Sequence, residues 1–522
     1  MEKLYNNIIL EDNSMALPND GNPDDSTVPY LKNPPDVIDV TVGRQLFVDR
    51  FLVEETDLET EYHQPKKFEG NPVLKAEKPW EMISAPGAAP LSGGVWYDEQ
   101  DKIYKMWYHA GWYGTLSYAT STDGIHWDRP DVGVVPGTNK IFDFQGYDFD
   151  NDHLNDVNYL CADTTTVWID NDGPKDERYK LLLRCPGGEW NALGGAGCVV
   201  AVSHDGIHFR DFRLTSKTGD KSTMFYNPFR KKWVYSIRAG WGKSRMRRYR
   251  ECDNYLDGAA WKDEEAPLWL TIDEWDREHP YINFKPQLYN VDAVGYESLM
   301  LGFFQIMYGP ENDVTNRYGV PKITDLQFMY SRDGYHFSRP CRKSAIPSSM
   351  GEGTWDRGYI QSTGGAVIIH GDELWIYYAG FAGDPAFAST AADKDPHIIP
   401  GPYHNAATGL AKMRRDGFVS LNGKGSLLTR KLVFHGKETL HINADGFVQA
   451  ELLDADGTVL AVSNPFCGDS TNQKLEFENF SVTSLNNKPI RIRFHVEGKL
   501  YAFGFADANG EFGGARAAGV AE

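Results

Sequence analysis

One heptapeptide limits what this chain can fold into more than any other feature. The pattern Ser-x-Asp-Gly-x-His-(Trp/Phe) occurs three times, at Ser121 to Trp127, Ser203 to Phe209 and Ser331 to Phe337. Each copy follows a strand-like segment, LSYAT, CVVAV or LQFMY. The Asp-Gly pair supplies the positive φ of a tight turn, the Asp bonds the turn's amides, and the aromatic starts a returning strand. The copies therefore mark hairpins. Each His recurs at one fixed place in the repeat, which assigns it to the turn rather than to a metal. Two weaker copies, Arg414 to Phe418 and Arg248 to Trp261, bring the series to five units.

Each unit carries two further strands upstream. They are Gly93 to Tyr97 with Ile103 to His109, Thr164 to Ile169 with Tyr179 to Cys185, and Thr223 to Asn227 with Lys232 to Arg238. The fourth unit shows one long run, Ser298 to Tyr308, and the fifth Gly365 to Ile369 with Leu374 to Gly380. Four strands repeated five times predict an all-β chain, a five-bladed β-propeller closed radially so that only short edges are exposed. After Leu421 the heptapeptide stops while strand-like alternation continues, which predicts a C-terminal β-sandwich. The expected division is an irregular N-terminal arm over 1–40, the propeller over 41–421 and the sandwich over 422–522.

Composition narrows the partners. Lys plus Arg is 53 against 73 Asp plus Glu, a formal charge of −20, which argues against nucleic acid. Aromatics make up 13% of the 522 residues, suiting both sheet packing and sugar stacking. The six cysteines form no CxxC pair and read as reduced thiols. The first twenty residues lack an apolar core behind a basic start, and no later apolar run is long enough for a membrane span, so a cytoplasmic location without membrane contact is expected.

Propeller topology places the chemistry. Turns between the first and second strands of a blade, and between the third and fourth, share one face; the other loops share the opposite face. The short turns and heptapeptides fall on the first. Long Gly- and aromatic-rich loops fall on the second, where a pocket is expected. Acids before the innermost strands line its mouth: Asp163, Asp220 and Glu297, with Glu81 and Asp356 upstream in blades one and five. Converging carboxylates have their pKa values split by burial and repulsion, as glycosidic cleavage needs. Trp112, Trp190 and Trp241 are candidate stacking platforms, and Arg238, Arg245 and Arg247 are placed to hold hydroxyls or an oxyanion. The acidic loop Asp148 to Asp156 lacks an EF-hand pattern and reads as solvated; no metal and no cofactor is expected.

LFVDRFLVE (Leu46 to Glu54), NPVLKAEKPWE (Asn71 to Glu81), the heptapeptides, GDELWIYYAG (Gly371 to Gly380), GLAKMRRDGFVSL (Gly409 to Leu421) and LYAFGF (Leu500 to Phe505) carry a resemblance. The chain resembles the superfamily of glycoside hydrolase families 32, 43, 62 and 68, in particular bacterial proteins described as family 32 N-terminal-like. The resemblance implies a propeller plus sandwich, a carbohydrate substrate and, by analogy, a furanoside. SAPGAAPLSGG lacks the family 32 nucleophile motif Asn-Asp-Pro-Asn, Asp163 matches the second-blade Asp in part, and Asp220 falls where the family has its general acid. The expected function is an inverting glycoside hydrolase with Asp220 and Glu297 as the acid/base pair, Asp163 stabilising the charged state and Glu81 in reserve. The alternatives are a glycoside phosphorylase on the same propeller and a non-catalytic sugar-binding propeller.

Overall fold

A computed structural model describes residues 1–10, 28–142, 164–184, 197–241, 244–389 and 399–521. Five antiparallel sheets form the blades. The first runs from a broken inner strand, Ala88–Ala89 and Val95–Asp98, through Ile103–Ala110 to Thr115–Ser121. The second comprises Thr165–Ile169, Tyr179–Arg184, Cys198–Ser203 and Arg210–Leu214. The third comprises Thr223–Asn227, Lys232–Trp241, Ser244–Cys252 and Leu268–Leu270.

Blade four differs from its sequence reading. Its innermost strand is Gln287–Glu297, and Leu299–Gly309 is the second, joined by a turn at Ser298. Uninterrupted apolar alternation through Ser298 concealed that turn. In blade five the broken inner strand Gly358–Gln361 and Ile368–His370 pairs with Glu373–Phe381, followed by Ala406–Arg414. Its outermost strand is Lys66–Lys67, brought from far upstream to close the ring.

The heptapeptide does two jobs. Within each turn the Ser hydroxyl accepts the Gly amide, at 2.8, 3.0 and 2.9 Å in the three copies, and the Asp accepts the next two amides. The His ring sits 2.7, 2.8 and 2.7 Å from that Asp, so it belongs to the turn. Between blades, Trp107 of blade one donates to the Gly206 carbonyl of blade two at 2.7 Å, and Trp269 of blade three to Tyr335 of blade four at 2.7 Å. Tyr377 of blade five donates to Gly124 of blade one at 2.6 Å. Tyr255 of blade three reaches Leu181 of blade two at 2.6 Å, and Tyr296 of blade four bonds Asp416 of blade five. Every neighbouring pair of blades is latched by an aromatic donor.

The second layer is one sheet built on the long strands Val419–Thr429, Thr439–Asp454, Phe466–Leu475 and Ile490–Ala506. Gly423, Gly498, Gly446 and Gly468 pair in a row across it, and the first three have positive φ. That row creases the sheet so that its halves fold over a core containing Leu427, Ile442, Leu452, Phe494 and Phe505. The expected boundaries shift here. Ile38–Asp39, Gln45–Leu46, Val53–Thr56 and Glu59–Tyr62 pair with sandwich strands, and Leu4, Ile8, Leu10, Val28 and Tyr30 join its core rather than an irregular arm. Conversely, the tail Ala515–Ala521 returns to the propeller, bonding Gly295, Val367 and Tyr97 across the turn face. Arg332, inside the third heptapeptide, joins the two bodies through a buried bidentate pair with Asp49 at 2.8 to 3.0 Å. The four described cysteines are free, and among the described residues no helix is long and apolar enough to cross a membrane.

Two glycines of equal φ separate backbone strain from latch packing. Gly206 has φ 77°, and an added Cβ would lie 2.6 Å from the Trp107 ring; Gly133 has φ 78° and nothing within 4 Å. Gly133→Ala should cost about 1 kcal/mol by urea denaturation, and Gly206→Ala a further ~1–3 kcal/mol for overpacking. Equal costs would show that the turn does not need its close contact with the neighbouring blade.

Candidate functional site

The loop-bearing face gathers side chains from four blades. Asp220 lies in the link into blade three, just before that blade's innermost strand. Arg238 near the end of the second strand and Arg245 at the start of the third reach back to it, at 3.0 and 3.3 Å. The hairpin register forces this meeting, because Arg238 pairs with Arg247 and Gly240 with Arg245. Arg247, fully buried, donates to the carbonyls of Lys221 and Tyr289 and ties this link to blade four.

Tyr289 begins the inner strand of blade four, and Tyr359 that of blade five. Their hydroxyls are 2.8 Å apart. Lys322 and Arg245 lie over the Tyr289 ring at 5.5 and 4.6 Å, and Lys221 stands over Tyr359 and Trp112 at 5.7 and 5.8 Å. Lys221 and Tyr359 both have left-handed backbones, φ 60° and 53°. Such conformations cost about 1–3 kcal/mol each and persist only where surrounding contacts fix them. Here the contacts are Arg247 on the Lys221 carbonyl and the Tyr359 amide on the Lys322 carbonyl.

The electrostatics are cationic. Burial works to raise the Asp220 pKa, but Arg245, then Arg238, outweigh it and hold the carboxyl at about 2. Burial likewise raises Tyr289, yet Lys322, Arg245 and Lys221 together bring it down to about 8. Tyr359 moves the other way, well above the usual phenol value, through burial and the neighbouring Tyr289. One phenol of the pair can exchange a proton near neutral pH while the other remains a donor. About 10 Å deeper, three residues along the strand, Asp292 accepts Ser92 and Asn290 at 3.0 Å each and also Ser362, and burial raises its pKa.

The expected residues divide sharply. Asp220, Arg238, Arg245 and Arg247 meet at the mouth. Glu297 does not: it closes the inner strand of blade four, eight residues and roughly 25 Å along the chain from Tyr289, on the turn face. There it is buried against Arg44 and Arg415, its pKa raised by burial and by Asp416. A pair with Asp220 is therefore ruled out by the strand register. Glu81 is fully buried and holds Tyr108 at 2.6 Å and Arg129 at 2.7 Å while accepting the Glu77 and Lys78 amides just ahead of its own short helix, so it has no reach as a reserve base. Asp356 binds Lys67 and Ser349 at 2.6 Å each, anchoring the strand that closes the ring rather than meeting a ligand. Trp112 is stacked on Tyr403 at 4.3 Å with Lys221 over its ring, which makes it part of the pocket's packing and not an open platform. Asp163, Trp190 and the Asp148 to Asp156 loop lie outside the described residues, as does the side chain of Trp241, whose backbone pairs with Ser244.

Sequence reasoning missed Tyr289, Tyr359, Lys221 and Lys322. The signal for Tyr289 was its place in QLYNVDAVGYE, an alternating run that was not counted as a strand. Among the described residues no group of three or more His, Cys, Asp or Glu is placed to hold a metal ion.

No family model and no curated protein matches the chain. Its structure is similar to a thermostable family-43 glycoside hydrolase, with 11% identity, 66% of this chain and 97% of that one covered, and a TM-score of 0.40. It is also similar to a glycosyl hydrolase from Bacteroides ovatus, with 10% identity, coverage of 70% and 96%, and a TM-score of 0.40. A fructofuranosidase from Schwanniomyces occidentalis, solved with fructose, matches at 10% identity, coverage of 85% and 97%, and a TM-score of 0.37.

The Tyr289 environment can be read directly. An NMR titration of ring-labelled tyrosine should show one phenol ionising near pH 8, and Lys322→Met should move that midpoint upward. A midpoint at or above 10 in the wild type would mean that the three cations do not act on this ring.

Proposed function

We propose that the protein is a glycoside hydrolase whose substrate lies in the loop-bearing mouth. The observation that carries the reading is the pairing of an ionised carboxylate with an acidified phenol, Asp220 held at about 2 and Tyr289 at about 8, both contacted by Arg245. Cleaving a glycosidic bond requires a proton on the departing oxygen and negative charge opposite the oxocarbenium-like carbon. Asp220 is too acidic to give the proton. Tyr289 gives it as the bond breaks, and Lys322, Arg245 and Lys221 stabilise the phenolate that remains. Asp220 faces the cationic carbon, water adds there, and the proton released by that water returns to Tyr289. In sequence register Asp163 occupies blade two as Asp220 occupies blade three, and it supplies the second carboxylate of this reading. A furanoside is the favoured substrate, by resemblance.

The arginines favour one second reading, phosphorolysis, in which inorganic phosphate replaces water. A sugar phosphate as product would identify it; a free reducing sugar identifies hydrolysis.

On a broad glycoside panel, Tyr289→Phe should lower kcat by about 10²–10⁴-fold and Asp220→Asn by a comparable factor. In the wild type kcat/KM should fall as pH rises through about 8, where the free enzyme's Tyr289 loses its proton. Asp220 stays charged down to about 2, so it imposes no loss between pH 4 and 7. Full turnover by Tyr289→Phe removes this assignment, and a wild type silent on the whole panel favours a binding propeller.

A further inference from the structure

Lys322 poses a problem that the hydrolytic reading does not solve. It is only 6% exposed, yet among the described residues no carboxylate lies within 4.0 Å of its ammonium and no hydrogen bond reaches it. The one described contact of the ammonium is with the Tyr289 ring. A lysine side chain so largely removed from water, with no described counter-charge, is an arrangement that an anionic partner would complete. Asp220, the one described carboxylate at this mouth, is already engaged by Arg238 and Arg245. Among the described side chains that touch Tyr289, cationic charge therefore outnumbers carboxylate. We infer that the mouth contains an oxyanion subsite formed by Lys322, Arg245 and the hydroxyls of Tyr289 and Tyr359, and that it takes the carboxylate of an acidic sugar. This inference deepens the hydrolase reading and rests on it for the identity of the ligand.

The donor set suits a carboxylate better than a phosphate. One lysine, one arginine shared with Asp220 and the one phenol hydrogen that the Tyr289–Tyr359 bond leaves free match a flat monoanion with two acceptor oxygens. A phosphate dianion is ordinarily cradled by several backbone amides at a Gly-rich loop or a helix start, and the described residues around Tyr289 offer neither. Binding a carboxylate would neutralise Lys322 without displacing Asp220.

The test is calorimetric and needs no turnover. D-Galacturonate, D-glucuronate and D-mannuronate are each titrated into the full chain beside the parent hexose, with inorganic phosphate as a separate arm. At least one uronate should bind about tenfold or more tighter than its hexose, and the gap should shrink as salt rises. Lys322→Met should close most of the gap, and Arg245→Gln should narrow it if the first variant does not fold. Equal binding of every uronate and hexose pair overturns the subsite, as does a gap that survives both substitutions. Phosphate binding that depends on Lys322, with no uronate preference, overturns the acidic-sugar assignment and supports phosphorolysis instead. A protein that shows the gap but cleaves nothing keeps the subsite and loses the hydrolase reading. One that cleaves neutral glycosides without the gap does the reverse.

Discussion

The aromatic donor seated in a neighbour's turn is the contact on which this ring depends. A blade is a small sheet with two apolar faces, and it is stable only when both are covered. Apolar packing alone would let blades slide, because it is not directional. A Trp or Tyr donor bonded to one carbonyl at 2.6 to 2.7 Å fixes the sliding coordinate. The Gly of the heptapeptide is required twice over, for its positive φ and because a side chain of the neighbouring blade occupies the space of a Cβ: an added atom would lie 2.6 Å from the Trp107 ring at Gly206 and 1.9 Å from the Asn227 amide at Gly334.

Fixing the ring from one face explains where the chain's acids go. Asp98 holds Lys105 and Arg178, Glu81 holds Arg129, Asp49 holds Arg332, and Asp416 with Glu297 holds Arg44 and Arg415. Each is a buried pair with further hydrogen bonds, the kind of clamp whose disruption costs ~3–5 kcal/mol because one charge is left uncompensated. These carboxylates serve the frame. Of the described acids weighed as site residues, only Asp220 remains at the loop-bearing mouth, and it too is restrained by arginines.

Much of this frame was legible in the sequence because its period is local. An Asp-Gly turn with a Ser three residues before the Gly reports its own hydrogen bonds, and three such turns with two weaker copies report a ring. What stayed hidden was non-local. Lys66 and Lys67 complete a blade more than three hundred residues downstream, and no local pattern announces that. The acids misled for a related reason: a carboxylate ending a strand and one preceding a strand look alike in sequence, and a missed turn at Ser298 moved Glu297 to the wrong face. Tyr289 and Lys322 carry no motif, since their chemistry arises only from strands of different blades sharing a mouth.

The sign of the mouth against that of the whole chain sets how a charged ligand would meet it. The protein carries −20 overall, while the described mouth concentrates lysine and arginine around one carboxylate. The two fields act at different ranges. In physiological salt, surface charges are screened beyond about 8 Å, so the acidic exterior offers an anion little steering, and arrival is governed by ordinary diffusion. Within the mouth, the rings of Tyr289, Tyr359, Trp112 and Tyr403 displace part of the water, and each cation acts more strongly over a few ångströms than it would on the open surface. Discrimination is thereby confined to molecules already seated. On the proposed reading it depends on the same charges that acidify Tyr289, so ligand recognition and proton transfer would not be tuned independently.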